Sequence, residues 1–585
     1  MCGIAGILKF EDSLVDDQEL KKMTNVIFYR GPDGEGQWIN SKKNIGLGHR
    51  RLSIIDLSDH AKQPMHYAGN RYSITFNGEI YNYIELKEEL VKAGYTFQSN
   101  SDTEVLLALY DQKKEKCLDG LDGMFSFAIW DEQEQELFCA RDRFGEKPFH
   151  YYLDSRQFVF GSEIKQLWAY GIPKKSSEQR INNYIAYGIV DDANDMTSTF
   201  YENIKRLDAA HYLRIKANGE IQISQYWSID LNAEKYKGSI EQASEEFIHL
   251  LTESIHLRLR SDVPVGSSLS GGLDSSSIVM LIDQLKGNGL KQNTFSARFK
   301  DFAKDEGKHI EEVVKACKNV EVHYTWPDEH YFMEVLDKVN YHQDEPYGSA
   351  SIVAQYAVME LAKKNNVTVL LDGQGADEYL GGYLPYYKLY LNQLFFNDHS
   401  NYKKELPAYN SFHGNTYPYV SLEKQETFRM KLGRYKRKVL NQDMPYSSNT
   451  LSERLRNDIA IVGIKELLRY ADRNSMAHSR EVRLPFLSHK LVEFAFSLPD
   501  AYKLNLGWTK YVLRKAMNTT LPKSICWRVD KIGYEPPQTK WLGSPQIKEE
   551  IKKAQQQFSD IYTGPKLSDN FQADSWRLLI AYKYK

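Results

Sequence analysis

Apolar positions along the chain follow two rhythms, and the change between them divides it. In the first two hundred residues Leu20, Met23 and Ile27 are spaced for one helical face behind Asp16 and Asp17 as caps. Most of the remaining apolar positions there fall in short runs that predict strands over 46–56, 71–76, 124–130, 136–141 and 158–161. Arg30-Gly31-Pro32-Asp33-Gly34 forces a turn, and Asn77-Gly78 reads as a tight-turn pair closing the strand before it. Ser101-x-x-Glu104 has capping-box spacing ahead of Val105, Leu106 and Leu109. Many strands and few helices predict an antiparallel α+β domain.

From about residue 235 longer helices alternate with buried-looking strands. Phe247, Leu251, Ser254 and Arg258 share one helical face, an apolar strand follows at 263–269, and Ile278, Val279, Ile282 and Leu285 mark another helix. Strand-like runs recur at 294–299, 321–324 and 367–371. That alternation predicts a doubly wound parallel sheet with ligands at the carboxyl ends of its strands. The boundary between the halves falls between 215 and 240. Beyond Tyr383 the periodicity fades, and 390–450 is polar and aromatic. The basic run Arg429, Lys431, Arg434, Lys436, Arg437, Lys438 reads as a solvated helix face.

At 585 residues the chain exceeds one core, which supports the division in two. A net charge of −3 gives no footprint for nucleic acid or an anionic membrane. Five scattered cysteines (Cys2, Cys117, Cys139, Cys317, Cys526) lack the close spacing of a zinc site or a redox motif, which fits a reducing compartment. With no signal-peptide pattern and no apolar run of membrane-spanning length, the expected location is the cytoplasm.

The chain opens Met1-Cys2-Gly3-Ile4-Ala5-Gly6. Removal of Met1 would leave Cys2 with a thiol and a free α-amino group, so base and nucleophile would share one residue. Arg51 can grip a carboxylate with two prongs, and Asp102 can hold an ammonium. Asn77-Gly78-Glu79 supplies an amide NH₂, an open backbone N–H and a carboxylate, the first two suited to an oxyanion hole. Taken singly these have blander readings, as a strand cysteine, a surface arginine, a helix cap and a hairpin turn.

Taken in order, Met-Cys-Gly-Ile-x-Gly, Arg30-Gly31-Pro32-Asp33, Arg51-Leu52-Ser53-Ile54, Asn77-Gly78-Glu79-Ile80-Tyr81-Asn82 and Ser101-Asp102-Thr103-Glu104 resemble the glutaminase domain of class II glutamine amidotransferases. The resemblance implies an α+β N-terminal-nucleophile (αββα) fold over 1–215, with Cys2 attacking the side-chain amide of glutamine. It makes Asn77 and Gly78 catalytic partners of Cys2. Arg51, Leu52, Ser53, Ile54, Ile55, Asn77, Gly78, Glu79 and Asp102 become the glutamine pocket. Arg141-Asp142-Arg143-Phe144-Gly145-x-Lys147-Pro148 matches a further family stretch, read as structural.

Ser270-Gly271-Gly272-Leu273-Asp274-Ser275-Ser276 lies between a strand and a helix, where glycines and N–H groups receive an anion. It lacks Gly-Lys-Ser/Thr, so it is not the common mononucleotide loop. A second acidic loop, Asp372-Gly373-Gln374-Gly375-Ala376-Asp377-Glu378, offers carboxylates for hard cations against a triphosphate. The first loop is similar to the pyrophosphate loop of N-type ATP pyrophosphatases. With the glutaminase ahead of it, the whole chain resembles the glutamine-hydrolysing asparagine synthetase family.

That resemblance implies an α/β doubly wound parallel-sheet ATP pyrophosphatase domain over 235–585. It places Leu269, Ser270, Gly271, Gly272, Asp274, Ser275, Ala297, Asp372 and Gly373 on ATP, and Asp274 and Asp377 on Mg²⁺. Gln374, Arg483 and Lys531 fall in the adenylate and acceptor pocket. Many members carry Ser-Gly-Glu-Gly-Ser-Asp-Glu where this chain has Asp372 to Glu378, and an aspartate where it has Ser488.

The implied reaction amidates a carboxylate, foremost that of aspartate, at the expense of glutamine and ATP, releasing AMP and pyrophosphate. The expected partners are glutamine, ATP and aspartate, with neither nucleic acid nor membrane, and homodimerisation is left open. The departures at Gln374 and Ser488 keep one alternative, the same mechanism on a sugar uronate or peptide carboxylate in a surface-polysaccharide or natural-product pathway. A non-catalytic glutamine sensor is a second, against which intact Cys2, Asn77, Asp274 and Asp377 argue.

Overall fold

The structure is a computed structural model that describes residues 2–10, 13–286, 291–414, 448, 450–530, 535–558 and 571–584. The first half carries strands β1 (Gly3–Lys9), β2 (Gly34–Ile39), β3 (Ile45–Arg51), β4 (Met65–Tyr67), β5 (Tyr72–Ile80) and β6 (Gly123–Asp131). It continues with β7 (Glu136–Arg141), β8 (His150–Leu153), β9 (Gln157–Gly161), β10 (Ile204–Arg206), β11 (His211–Lys216) and β12 (Ile221–Gln225). They form two antiparallel sheets, β10-β8-β9-β1-β3-β2 and β12-β11-β7-β6-β5-β4. Ile4, Leu8, Leu47, Trp130 and Phe160 pack between the sheets, while Tyr72, Phe76, Phe127 and Leu106 bury the outer face of the second sheet. This is the N-terminal-nucleophile layering.

Two helices flank these layers as the periodicity implied. Asp17–Asn25 starts where Asp16 accepts the N–H of Gln18 and buries Leu20 and Met23. Asp102–Lys113 starts where Ser101 accepts the N–H of Thr103. Its capping box is not reciprocal, because Glu104 accepts the N–H groups of Gln98 and Ser99 instead.

Asn77-Gly78 is not a turn. Both residues lie inside β5, paired with Ser126 and Phe125 of β6. A Cβ on Gly78 would sit 2.1 Å from the Met124 carbonyl oxygen, so this glycine serves close strand approach.

The second half is a parallel sheet, β15-β14-β13-β16-β17, made by β13 (Val265–Ser268), β14 (Gln292–Ala297), β15 (Val320–Thr325), β16 (Val369–Leu371) and β17 (Glu481–Arg483). Strand β13 stands between β14 and β16, so the chain reverses direction of build beside it, where open α/β sheets form their ligand crevice. The segment after Tyr383 forms the helices Leu384–Asn397 and His399–His413, and the basic run Arg429 to Lys438 lies outside the described residues. One apolar core runs through both halves, joining Ile7, Tyr81 and Ile164 to Leu371, Tyr347 and Leu487. Among the described residues no helix is long and apolar enough to cross a membrane.

Candidate active sites

Cys2 enters β1 with its backbone N–H donating to Asn77 Oδ1 at 2.9 Å, and its Sγ lies 3.9 Å from the Leu52 carbonyl oxygen. With Oδ1 so engaged, Asn77 Nδ2 is buried without a partner, a donor free for an oxyanion. Cys2, Arg51, Leu52, Ile54, Ile55, Gly78, Glu79 and Asp102 line one narrow pocket of about 30 Å³. Burial pushes the Cys2 thiol up, so a base must take its proton before it can attack. The Arg51 guanidinium is steadied by the carbonyls of Ser58, at 3.0 Å, and Asp56. Ser53 does not line the pocket; its N–H donates to Asp33.

Sequence reasoning missed Gln63, Ala61, Phe76, Ser101 and Thr103 on the same pocket wall. Gln63 Oε1 accepts the Phe76 N–H at 2.6 Å, a long-range bond that no spacing signals.

Burial raises the Asp102 carboxyl to about 6, against bonds from the Ile80 and Thr103 N–H groups that lower it. Below that value Asp102 is neutral and cannot hold an ammonium. With Asp102 on the glutamine ammonium, as the resemblance implies, kcat/KM for glutamine cleavage should fall as pH drops through about 6. A pH profile of Asp102→Asn checks this: the variant should start low and lose that limb.

The second pocket is a cavity of about 340 Å³ at the carboxyl ends of β13 and β16. Leu269, Ser270, Gly272, Asp274, Ser275, Asp372, Gly373, Gln374 and Asp377 all line it. Gly271 adopts φ +75, a left-handed turn at which a Cβ would meet the backbone of Ile310 at 2.9 Å. The Ser270 and Ser275 hydroxyls are 3.0 Å apart, which shapes the loop ahead of the helix Leu273–Lys286. A Cβ on Gly373 would stand 2.9 Å from the Ser275 nitrogen, so the two loops touch.

Lys510, absent from the sequence reading, is the feature that ties these loops together. Its Nζ lies 2.6 Å from Asp274 Oδ2 and 2.6 Å from Asp377 Oδ1, with the side chain 4% exposed. The two carboxylates outweigh the desolvation of that ammonium and hold its pKa above the ordinary lysine value. Arg514, Arg528 and Tyr470 complete the cavity.

Of the expected members, Gly271, Ala297 and Arg483 are not on the cavity wall. Ala297 ends β14, buried, and is not part of the cavity wall. Arg483 lies on β17 beside β16, but its side chain turns away from the cavity. It donates to Glu481 at 2.6 Å and to the carbonyls of Arg258 and Arg260, and its Nη2 lies 3.8 Å from Glu79 of the first pocket. Lys531 lies outside the described residues.

Those contacts place Arg483 in a seam between the pockets. Tyr81 receives Arg258 on its ring at 4.4 Å and Arg483 at 5.5 Å. Arg258 reaches the Leu487 carbonyl at 3.5 Å, and Leu487 packs against Gly375 of the cavity so closely that a Cβ there would lie 2.5 Å from Leu487 Cδ2.

Comparison with known proteins agrees with both halves. Residues 1–227 match the glutamine amidotransferase domain family, and residues 246–563 match the asparagine synthase family. The asparagine synthetase [glutamine-hydrolyzing] 1 of Bacillus subtilis is 33% identical over 93% of this chain and 88% of its own. Asparagine synthetase [glutamine-hydrolyzing] 3 of the same organism is 31% identical over 90% of this chain and 86% of its own. A putative asparagine synthetase [glutamine-hydrolyzing] 2 of Methanocaldococcus jannaschii is 38% identical over 66% of this chain and 76% of its own. The pocket at Cys2 and the loop-lined cavity on the parallel sheet fall within the two matched regions in turn, and the chain belongs to the glutamine-hydrolysing asparagine synthetase family.

Proposed function

We propose that the first pocket releases ammonia from glutamine and the second converts the β-carboxylate of aspartate into an acyl-adenylate that the ammonia attacks. The observation that carries this reading is the buried seam Glu79–Arg483–Tyr81–Arg258–Leu487, which leads from one pocket to the other inside a single chain.

In the first pocket Arg51 receives the α-carboxylate of glutamine and Asp102 its ammonium. After loss of Met1, the Cys2 amine takes the thiol proton and sulfur attacks the amide carbon. Asn77 Nδ2 and the Gly78 N–H donate to the oxygen as it becomes anionic. Ammonia departs with the returned proton, and water then cleaves the thioester to glutamate.

In the second cavity the loop Ser270–Ser275 and the Lys510 ammonium face the β and γ phosphates. The acceptor carboxylate attacks the α phosphate and pyrophosphate leaves. The adenylate replaces a poor leaving group, oxide, with AMP, and ammonia displaces it to give the amide. Asp274 and Asp377 fit a magnesium ion, because both already converge on one cationic centre at 2.6 Å. Among the described residues no third acidic, histidine or cysteine side chain joins them. Bound there, the ion would neutralise charge on the departing pyrophosphate.

Aspartate as acceptor is supported by the relatives' names, and no observation favours a uronate or a peptide. Incubation with ATP, glutamine and aspartate should yield asparagine, AMP, pyrophosphate and glutamate. AMP formation with other carboxylates but not with aspartate would overturn the acceptor.

A further inference from the structure

Lys510, Arg514 and Arg528 are the cations on the wall of the second cavity. Lys510 is held by Asp274 and Asp377 at 2.6 Å each, and Arg528 by Glu306 at 2.8 Å and Asp530 at 3.0 Å. Arg514 differs, since among the described residues no carboxylate pairs with it, although it is only 7% exposed. Its Nε donates to the Thr509 carbonyl at 2.7 Å, and its Nη1 to the carbonyls of Cys526 at 2.7 Å and Arg528 at 2.9 Å. A guanidinium carries five N–H donors. Those bonds occupy Nε and Nη1 and leave both N–H groups of Nη2 without an acceptor among the described residues.

The chain puts this open end beside the phosphate loop. The Arg514 N–H donates to the Lys510 carbonyl at 3.1 Å at the start of the helix Tyr511–Ala516, so the two side chains are one turn apart on the cavity face. The Arg528 whose carbonyl Arg514 holds donates in turn to the Gly271 carbonyl at 3.4 Å, within the loop Ser270–Ser275. Trp508 packs its ring 5.1 Å from the Arg514 guanidinium carbon. Neutral carbonyls fix the group but do not offset its charge. Burial lowers its pKa to about 10, although Cys526, Asp274 and Asp377 raise it, so Arg514 stays cationic at neutral pH. An anion bound in the cavity offsets the cost of that buried, unpaired charge.

We infer that Arg514 is a second cation for the leaving pyrophosphate, its Nη2 donating to β or γ phosphate oxygens of ATP one helical turn from Lys510. This rests on the two-pocket reading above. As the acceptor oxygen bonds to the α phosphorus, the bond from that phosphorus to the bridging oxygen breaks. Its electron pair stays on the pyrophosphate. Lys510 is already shared between two carboxylates, so the growing negative charge is best met by a cation that faces none. A planar guanidinium fixed by three hydrogen bonds meets it without rearrangement, with two N–H groups in one plane.

The test titrates the full chain with inorganic pyrophosphate and Mg²⁺ in a calorimeter, beside KM for ATP and for aspartate in ammonium-dependent AMP formation. Arg514→Gln, shown to be folded by circular dichroism, should bind pyrophosphate about tenfold more weakly or worse. Its kcat/KM for ATP should fall with it, while KM for aspartate holds. Arg514→Lys keeps the charge without the fork and should recover part of the loss. A measurement on the wild type serves if Arg514→Gln does not fold: an arginine-specific dicarbonyl should modify Arg514, read by peptide mass, and pyrophosphate but not aspartate should protect it. Unchanged pyrophosphate binding in the folded variant overturns the assignment. So does an effect confined to KM for aspartate, which would put the acceptor's carboxylate on Arg514 instead. In the wild type, an Arg514 that the reagent does not reach, or that pyrophosphate does not protect, overturns it too. Absence of AMP from the wild type with ammonium, ATP and aspartate would count against the proposed function, while pyrophosphate binding still reads Arg514 by itself.

Discussion

Cys2→Ala should abolish glutamate release, by roughly a thousandfold or more, since no other group in the pocket can form the thioester. Glutamine-dependent AMP formation should vanish with it. With ammonium supplied, the same variant should form AMP at close to the wild-type rate. The division follows from position: Cys2 stands just ahead of β1 in the first pocket, and the second cavity is lined without it. The substitution removes one sulfur from a side chain 8% exposed and leaves the Asn77 bond to the backbone N–H in place, so the fold should persist. Steady-state assays of glutamate and AMP with either nitrogen source check it. Loss of the ammonium-dependent reaction would show that the pockets are not separable.

Asp274→Ala should do the reverse. Pyrophosphate release should fall by about a hundredfold or more with glutamine and with ammonium alike, because the carboxylate on Lys510 that we propose faces the phosphates is gone. Asp377 remains on Lys510 at 2.6 Å, so the loops should stay joined and the protein folded. Glutamate release without ATP should survive. A pyrophosphate assay beside a glutaminase assay separates the two effects, and a variant that keeps pyrophosphate release would remove Asp274 from the ATP site.

Much of both sites was legible because their chemistry sits in contiguous motifs. Cys2, Arg51, Gly78 and Asp102 converge on one pocket, and Ser270, Gly272, Asp274 and Ser275 converge with Asp372, Gly373, Gln374 and Asp377 on the other. Motifs fix residue type and loop, but not side-chain direction. Arg483 shows the difference: its carbonyl accepts the Asp372 N–H, yet alternation along β17 turns its guanidinium toward Glu481 and the first domain. Asn77-Gly78 carries a turn signal that tertiary pairing overrides, because the close approach of β6 needs a glycine as much as a turn does.

Lys510 could not be found from the sequence. It lies 236 residues from Asp274, in a loop with φ +51, and nothing near it marks a phosphate site. A buried cluster of three cations and three anions, Arg30, Glu163, Lys165, Asp344, Asp472 and Arg473, is equally silent, since its members share no spacing. Only folding brings them together, at the interface that the division into two domains left undescribed.

The central claim is that nitrogen passes between the pockets without leaving the protein. The most direct measurement supplies glutamine with heavy nitrogen in its side-chain amide, together with ATP, aspartate and an excess of unlabelled ammonium at a concentration below that needed to drive the reaction alone. Transfer through the seam predicts that the amide product carries the heavy label undiluted. Product labelled only in proportion to the mixed ammonium of the bath would contradict it.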